Sequence, residues 1–180
     1  MHIPIAQPSL GNEENDAVLA VLASGMIAQG PVTAAFEDEF AAYCGVPHAV
    51  AVSNGTAALH AALLAAGVGP GDEVVVPAFT FFATASAVSM CGAVPVFADV
   101  DPATATIDPA DIIVKITEKT KAVIAVHLYG QPCDAAVVNK ICDARDLIFI
   151  EDAAQAHGAT YRGQKTGSLG DLACFSFYAT

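Results

Sequence analysis

Short apolar runs alternate along this chain with alanine-rich stretches of helical length. Several of the runs are almost continuously apolar, as strands buried on both faces of a sheet are. We predict strands at 48–53, 73–77, 94–98, 122–127, 147–151 and 173–177. We predict helices at 13–24, 32–44, 56–66, 81–91, 109–116 and 135–144. The alternation favours a three-layer α/β fold in which helices cover both faces of a mostly parallel sheet.

The excess of acidic residues disfavours large anionic ligands. The 180 residues carry 7 Lys and Arg against 19 Asp and Glu, a net charge of −12. Such a chain is poorly suited to nucleic acid or to an anionic membrane, because both are bound through cationic side chains. A phosphorylated small molecule stays compatible with it, since backbone N–H groups at a helix terminus can bind the phosphate. The length fits one domain, or the larger part of a two-domain enzyme.

The cysteine pattern and the apolar segments favour a cytoplasmic protein. The five cysteines are odd in number and form no C-x-x-C pair, which favours reduced, buried thiols. Residues 1–5 show no secretory signal. Residues 74–98 carry no charge over a length that could span a membrane. Pro77, Gly92 and Pro95 interrupt that segment, so we predict strand, helix and strand there.

The turn Asn54-Gly55-Thr56 follows a predicted strand and opens a predicted helix. The first turn of a helix has unpaired N–H groups, and the helix dipole favours an anion there. Gly55 allows close approach of the backbone, and Thr56 can add a hydroxyl. Phosphate binding is one interpretation, and ordinary helix capping by Asn and Thr is the other.

Two acids, Glu151 and Asp152, end an apolar predicted strand. Ligands of open α/β sheets bind beyond the carboxyl ends of the strands. Asp152 is therefore a candidate partner for a buried cation, such as the protonated ring nitrogen of pyridoxal phosphate (PLP). A metal site formed with His157 is an alternative, although adjacent strand residues point to opposite faces. A helix-capping acid is a further alternative.

Aromatic and histidine side chains follow other predicted strands. Phe81 and Phe82 could stack on a flat cofactor, but the pattern alone favours a place in the core. His127 ends the predicted strand at 122–127, at the ligand edge of the sheet. For His157, packing or hydrogen bonding is the more common outcome for a single histidine.

Together these segments resemble the DegT/StrS-type family of PLP-dependent sugar aminotransferases, which have the type I fold. The resemblance covers nearly all 180 residues, and the order and spacing of the segments make it specific. The segments are Gln-Gly-Pro at 29–31, Ser-Asn-Gly-Thr-Ala-Ala-Leu at 53–59, Pro-Ala-Phe-Thr-Phe at 77–81, Phe-Ala-Asp-Val-Asp at 97–101, His-Leu-Tyr-Gly at 127–130, Glu-Asp-Ala-Ala-Gln at 151–155 and Phe-Ser-Phe at 175–177.

The resemblance implies a cofactor, PLP, held at both ends. Gly55 and Thr56 would bind its phosphate, and Ser176 would add a hydroxyl. At the ring, Asp152 would pair with the pyridine nitrogen, and it is the catalytic residue that the resemblance implies within these 180 residues. The resemblance implies no metal.

The same resemblance implies two further ring contacts. Phe81 would stack on the ring, and Gln155 would lie against it near the 3-hydroxyl. The segment 29–31 would lie near the sugar pocket, without an assigned role.

The reaction implied is transfer of an amino group, usually from glutamate, to a keto sugar of a nucleoside-diphosphate sugar. The family works as a homodimer, and residues of both chains form each site. Two alternatives stay open. One is a sugar dehydratase of the same family, which has histidine in place of the catalytic lysine. The other is a catalytically silent PLP-binding regulatory protein on the same fold.

The catalytic lysine of the family would follow Thr180 directly, after the Phe-Ser-Phe segment. We therefore expect the 180 residues to be a fragment without the small C-terminal domain, and to be inactive in transamination alone. The lysines that do not match that position are Lys115, Lys119, Lys121, Lys140 and Lys165.

Overall fold

The computed structural model describes residues 8–178, so the expectations for residues 1–5 and 179–180 lie outside the described part. The helices are α1 Asn12–Ser24, α2 Pro31–Cys44, α3 Gly55–Ala65, α4 Ala83–Met90, α5 Pro109–Lys115 and α6 Ala135–Arg145. The strands are β1 Glu73–Pro77, β2 Val94–Ala98, β3 Thr120–Val126, β4 Ile148–Asp152, β5 Thr160–Tyr161, β6 Gln164–Lys165 and β7 Leu172–Cys174.

Five strands form one parallel sheet in the order β2-β1-β3-β4-β7. Val126 of β3 pairs with Asp152 of β4, and Asp152 pairs with Cys174 of β7. Because all five strands run the same way, their carboxyl ends meet at one edge of the sheet. The predicted α/β class is confirmed, and the candidate site lies at that edge.

The sheet has a helix layer and an apolar core on each face. One core cluster contains Ile150 with residues of α3 and α4, and the other contains Phe149 with residues of α5 and α6. These neighbours in β4 point to opposite faces, as the period of two in a strand requires. Both are fully buried. The predicted three-layer arrangement is confirmed.

Short polar residues set the helix starts. Asn54, Asp108 and Asp134 precede α3, α5 and α6, and each side chain accepts a hydrogen bond from an N–H of the first turn. Such caps replace partners that the first backbone N–H groups lack within the helix. The predicted start of a helix at Pro109 is confirmed.

One predicted strand is absent, and two other predicted elements extend at least two residues beyond the observed ones. Residues 48–53 form no strand, because a strand needs a hydrogen-bonded neighbour and no described strand pairs with them. The last strand ends at Cys174 instead of residue 177, since Cys174 pairs with the last residue of β4. Helix α4 begins at Ala83 instead of residue 81, after two exposed phenylalanines.

A small antiparallel hairpin, β5–β6, is absent from the sequence prediction. Its turn residues, Arg162 and Gly163, both have positive φ, 50° and 85°. A turn of this kind is usually signalled by Asn-Gly or Asp-Gly, and arginine is uncommon in its first position. The sequence therefore gives no standard turn signal here.

The chain divides into two compact units, residues 8–51 with Tyr178, and Val52–Phe177. In the first unit, Gly30 precedes α2 and Pro31 begins it, a favoured position for proline. The Glu37 side chain there accepts a hydrogen bond from the Ala51 N–H at 2.7 Å. All five cysteines of the chain are buried, as predicted. None of the helices within 8–178 has the length and apolar character needed to cross a membrane.

Candidate active site

Asp152 is the last residue of β4 and only 5% exposed. Its Oδ2 accepts a hydrogen bond from Thr84 Oγ1 at 2.8 Å, and its Oδ1 accepts one from the Ala154 N–H at 3.3 Å. Burial raises the pKa of this carboxyl above its ordinary value, although both hydrogen bonds oppose the shift. A buried carboxylate at the ligand edge of a sheet is a natural partner for a cation.

Thr84 is a functional candidate that sequence reasoning missed. It is fully buried in the first turn of α4, and its hydroxyl lies 3.0 Å from the hydroxyl of Thr80. The signal available in the sequence was the Thr-x-x-x-Thr spacing in an otherwise apolar segment. Thr80 lies in the bend between β1 and α4, and the chain turns there so that its hydroxyl meets that of Thr84 in the first turn of the helix.

The start of α3 lies against the segment that follows β7. A Cβ atom added to Gly55 would lie 2.9 Å from Ser176 Cβ and 3.3 Å from its Oγ. Only glycine therefore fits this position without displacing the chain around Ser176. The Ser176 hydroxyl thus lies next to the helix terminus, where the first N–H groups have no partner within the helix. Half-buried Thr56 is the second residue of that helix. This cradle suits an anion.

We expect Gly55→Ala to lower the free energy of unfolding by about 1–3 kcal/mol, because the added methyl overpacks against Ser176. Chemical denaturation measures the loss. Gly69→Ala is the matched control, since a Cβ there meets nothing within 4 Å. The double variant Gly55→Ala with Ser176→Gly should recover part of the loss. Equal unfolding curves for Gly55→Ala and the parent would contradict the close contact.

The anion cradle and the buried carboxylate lie at the same sheet edge. Cys174 pairs with Asp152, and Ser176 follows Cys174 by two residues. Neighbouring strands are about 5 Å apart, and two residues span at most about 7 Å, so the Cα atoms of Asp152 and Ser176 are at most about 12 Å apart. A flat ligand with a cationic nitrogen at one end and a phosphate at the other can reach both.

A cavity of about 200 Å³ with an aromatic rim is lined by Thr80, whose hydroxyl contacts the Asp152 partner Thr84. Its lining residues are Phe79, Thr80, Phe81, Leu128, Tyr129 and Gln155.

Phe81 and Phe82, for which the apolar pattern alone favoured a place in the core, are both at the surface. Phe81 is 72% exposed and Phe82 is 79% exposed. The core interpretation, which the apolar pattern favoured, is therefore wrong. Phe81 lines the cavity, so its ring is available for stacking.

Gln155 lines the cavity and is hydrogen-bonded to Tyr129, another lining residue. Its Oε1 accepts a hydrogen bond from the Tyr129 N–H at 2.9 Å. Tyr129 has a left-handed backbone, φ 54°, which few residues other than glycine adopt. Residues such as this one concentrate at functional sites. The structure thus brings Gln155 and the exposed Tyr129 ring to the same cavity.

Glu151 points to the face of the sheet opposite Asp152. Its carboxylate accepts hydrogen bonds from His127 Nε2 at 2.9 Å and from the N–H groups of Gly167, Leu169 and Gly170 at 2.9, 2.7 and 2.9 Å. Burial would raise its pKa, but these bonds hold the pKa of Glu151 below its ordinary value. The two acids cannot share one metal ion, and no cluster suited to a metal occurs among residues 8–178.

Neither of the two histidines considered as site candidates, His127 and His157, forms a hydrogen bond with the carboxylate of Asp152. His127 is fully buried; its Nδ1 accepts from the Cys133 N–H at 3.2 Å, so Nε2 carries the proton that Glu151 accepts. His157 packs its ring against Phe175 and Phe177, with centroids 5.2 and 5.0 Å away. Hydrogen bonding is thus the observed role of His127, and ring packing that of His157.

Residues 8–180 match the sequence profile of the DegT/DnrJ/EryC1/StrS aminotransferase family. The chain is 51% identical over 177 residues to the GDP-perosamine synthase of Caulobacter vibrioides, covering 98% of this chain and 48% of that protein. It is 44% identical over 178 residues to the dTDP-3-amino-3,4,6-trideoxy-alpha-D-glucose transaminase of Streptomyces venezuelae, covering 99% and 47%.

Solved structures show the same fold. A Streptococcus pneumoniae protein in its PLP form superposes with a TM-score of 0.96 at 36% identity, covering 99% of this chain and 50% of that one. The fold is that of the type I aminotransferases. The chain spans about half the length of the relatives that it matches.

Proposed function

This chain belongs to the DegT/DnrJ/EryC1/StrS aminotransferase family. We propose that it forms the PLP-binding part of a nucleotide-sugar aminotransferase. The observation that carries the proposal is the buried Asp152 carboxylate at the same sheet edge as the contact of Gly55 with Ser176. A cation acceptor and an anion cradle at this spacing fit the two charged ends of PLP.

The phosphate end of PLP is assigned to the start of α3. The N–H groups of Gly55 and Thr56 point out of a first helical turn, where the helix dipole favours an anion. The hydroxyls of Thr56 and Ser176 supply further donors. The close contact of Gly55 with Ser176 supports this assignment, because any side chain there would fill the cradle.

The ring end is assigned to Asp152, with Phe81 and Gln155 against the ring. PLP, when bound, would supply an electron sink for the reaction of the amino donor. Asp152 holds the proton on the ring nitrogen, and its burial keeps water from competing for that charge. The exposed Phe81 ring and the Tyr129-bound Gln155 amide orient the ring in the cavity.

The substrates are assigned from the relatives. Their names describe amino sugars attached to GDP and to dTDP. We therefore assign a nucleoside-diphosphate keto sugar as amino acceptor, and we take glutamate as amino donor from the family resemblance. We also propose a cytoplasmic homodimer. Phe79, Phe81 and Tyr129 are exposed together around one cavity, and grouped exposed apolar side chains mark interaction surfaces, which supports a partner there.

The test is spectroscopic and uses the protein that carries this chain. Added PLP should give a visible absorbance band that glutamate removes and a keto-sugar nucleotide restores. A panel of GDP- and dTDP-linked keto sugars, followed by mass spectrometry, should reveal an amino-sugar product. A band that ignores glutamate would favour the silent regulatory protein. Loss of water from the sugar without amine transfer would favour the dehydratase.

A further inference from the structure

Thr80 and Thr84 form a short chain of hydroxyl groups that ends on Asp152. Thr84 Oγ1 lies 2.8 Å from Asp152 Oδ2 and 3.0 Å from Thr80 Oγ1. Thr84 is fully buried, whereas Thr80 is half-buried and lines the cavity. The chain therefore runs from the cavity wall to the carboxylate.

When Asp152 is charged, the number of protons fixes the direction of this chain. A hydroxyl has one proton to donate and two lone pairs. If Thr84 donates to a charged Asp152, it must accept from Thr80. Both bonds then point their positive ends toward Asp152, and hydrogen bonds in a row strengthen one another in a low-dielectric interior. The ordered chain thus favours the charged form of Asp152 over the protonated form.

Other ionisable groups beside Asp152 cannot replace this donor. On β7, burial, followed by the charges of Asp152 and Glu151, raises the pKa of the Cys174 thiol to about 12, so this neighbour stays neutral. Directly after β3, His127 has its Nε2 on Glu151 and its Nδ1 on the Cys133 N–H. The other hydrogen bond to Asp152, from the Ala154 N–H, is longer at 3.3 Å.

We propose that Thr84, with Thr80 as its donor, is the positioning residue that keeps Asp152 charged and fixed in direction for the ring nitrogen of PLP. Burial alone would favour a protonated Asp152, which could not hold a cation. The Thr84 hydroxyl offsets that tendency. The inference rests on the proposed function for its ligand, but the effect of Thr84 on Asp152 belongs to the protein itself.

The variants separate the hydroxyl of Thr84 from its methyl group. Thr84→Val keeps the shape and removes the hydroxyl, whereas Thr84→Ser keeps the hydroxyl and removes the methyl. Thr80→Val removes the first donor and leaves Thr84 in place. Thr106→Val is the matched control, since Thr106 is also buried and its hydroxyl contacts another threonine, Thr104.

The first measurement needs no cofactor. Carbon NMR of the aspartate carboxyls, with Asp152→Asn to assign the signal, follows the titration of Asp152. We expect Thr84→Val to move the midpoint up by roughly one pH unit, the scale of a hydrogen bond to a charged group. Thr80→Val should move it in the same direction by less. Thr84→Ser and Thr106→Val should leave it near the parent value.

The second measurement is PLP affinity by absorbance titration. We expect Thr84→Val to weaken binding roughly 10- to 100-fold and Thr84→Ser to stay within about 3-fold. Parent-like titration and affinity in Thr84→Val would overturn the inference. If the parent protein does not bind PLP while the Asp152 midpoint still shifts, the proposed function fails and the effect of Thr84 on Asp152 stands. Should Thr84→Val not fold, an unshifted midpoint in Thr80→Val overturns the inference.

Discussion

In the protein that carries this chain, replacing Asp152 with asparagine is expected to lower the rate of the proposed amino transfer by roughly 10²- to 10⁴-fold. Asparagine has the shape of aspartate but no charge, so the ring nitrogen loses its buried anionic partner. Removing one partner of a buried ion pair costs about 3–5 kcal/mol, and about 1.4 kcal/mol changes a rate tenfold. Steady-state kinetics with glutamate and a keto-sugar nucleotide measure the loss.

The same substitution should leave the cofactor-free fold as stable as the parent or more stable. Burial raises the pKa of Asp152 in the folded protein. The contribution of Asp152 to the free energy of unfolding is therefore greatest at low pH, where the carboxyl is protonated. It is lost as the pH rises through the folded-state pKa. At about pH 7 the charged carboxylate is a cost that asparagine removes. Denaturant unfolding without PLP checks this.

The matched control for this pair of results is Asp146→Asn. Asp146 is exposed and has a left-handed backbone, φ 54°, which asparagine adopts readily. We expect its activity within about 2-fold of the parent. Added PLP should raise the unfolding midpoint of the parent and of Asp146→Asn more than that of Asp152→Asn. Asp152→Asn that keeps activity within about 10-fold would contradict the assigned role.

The sheet and the directions of the two acids follow from the sequence because they depend on short-range periodicity. Apolar runs such as 73–77 and 94–98 match β1 and β2 residue for residue. The period of two separates Glu151 from Asp152, and the structure places their partners on opposite faces. Such patterns are set by neighbours in the chain, so one sequence carries them.

The features that sequence reasoning missed depend on distant contacts. Residues 48–53 are apolar enough for a strand, but a strand also needs a partner, which no local pattern reveals. Phe81 and Phe82 are apolar enough for a core, yet both lie exposed beyond the end of β1, and Phe81 lines the cavity. Thr84 meets Asp152 across 68 positions of sequence. Pairings of this kind come from topology, not from propensity.

Replacing Glu151 with alanine is expected to lower the free energy of unfolding by about 3–5 kcal/mol, the loss typical of a buried charged group removed from its partners. The change leaves the proton of His127 Nε2 and three backbone N–H groups, at Gly167, Leu169 and Gly170, without their acceptor. Each buried donor left unpaired costs about 1–3 kcal/mol, reduced where water can enter the space of the lost side chain. Urea unfolding at about pH 7 measures the sum.

Glu151→Gln separates the charge from the shape. Glutamine keeps one acceptor oxygen for Leu169 and Gly170 but turns a donor group toward His127 and Gly167. His127 cannot accept in return through Nε2, because its Nδ1 already accepts from the backbone and Nε2 holds the proton. We expect a loss of roughly half that of alanine, whereas exposed Glu118→Gln should change stability by less than about 0.5 kcal/mol.

The pH dependence distinguishes the charge of Glu151 from its packing. The pKa of Glu151 is lowered in the folded protein, so its stabilising effect is present above the ordinary pKa of a glutamate and is lost as the pH falls through the folded-state value. The stability gap between the parent and Glu151→Gln should therefore narrow between about pH 7 and about pH 3. A gap that stays constant over that range would mean that shape, and not the carboxylate charge, holds the turn at 167–170 against β4.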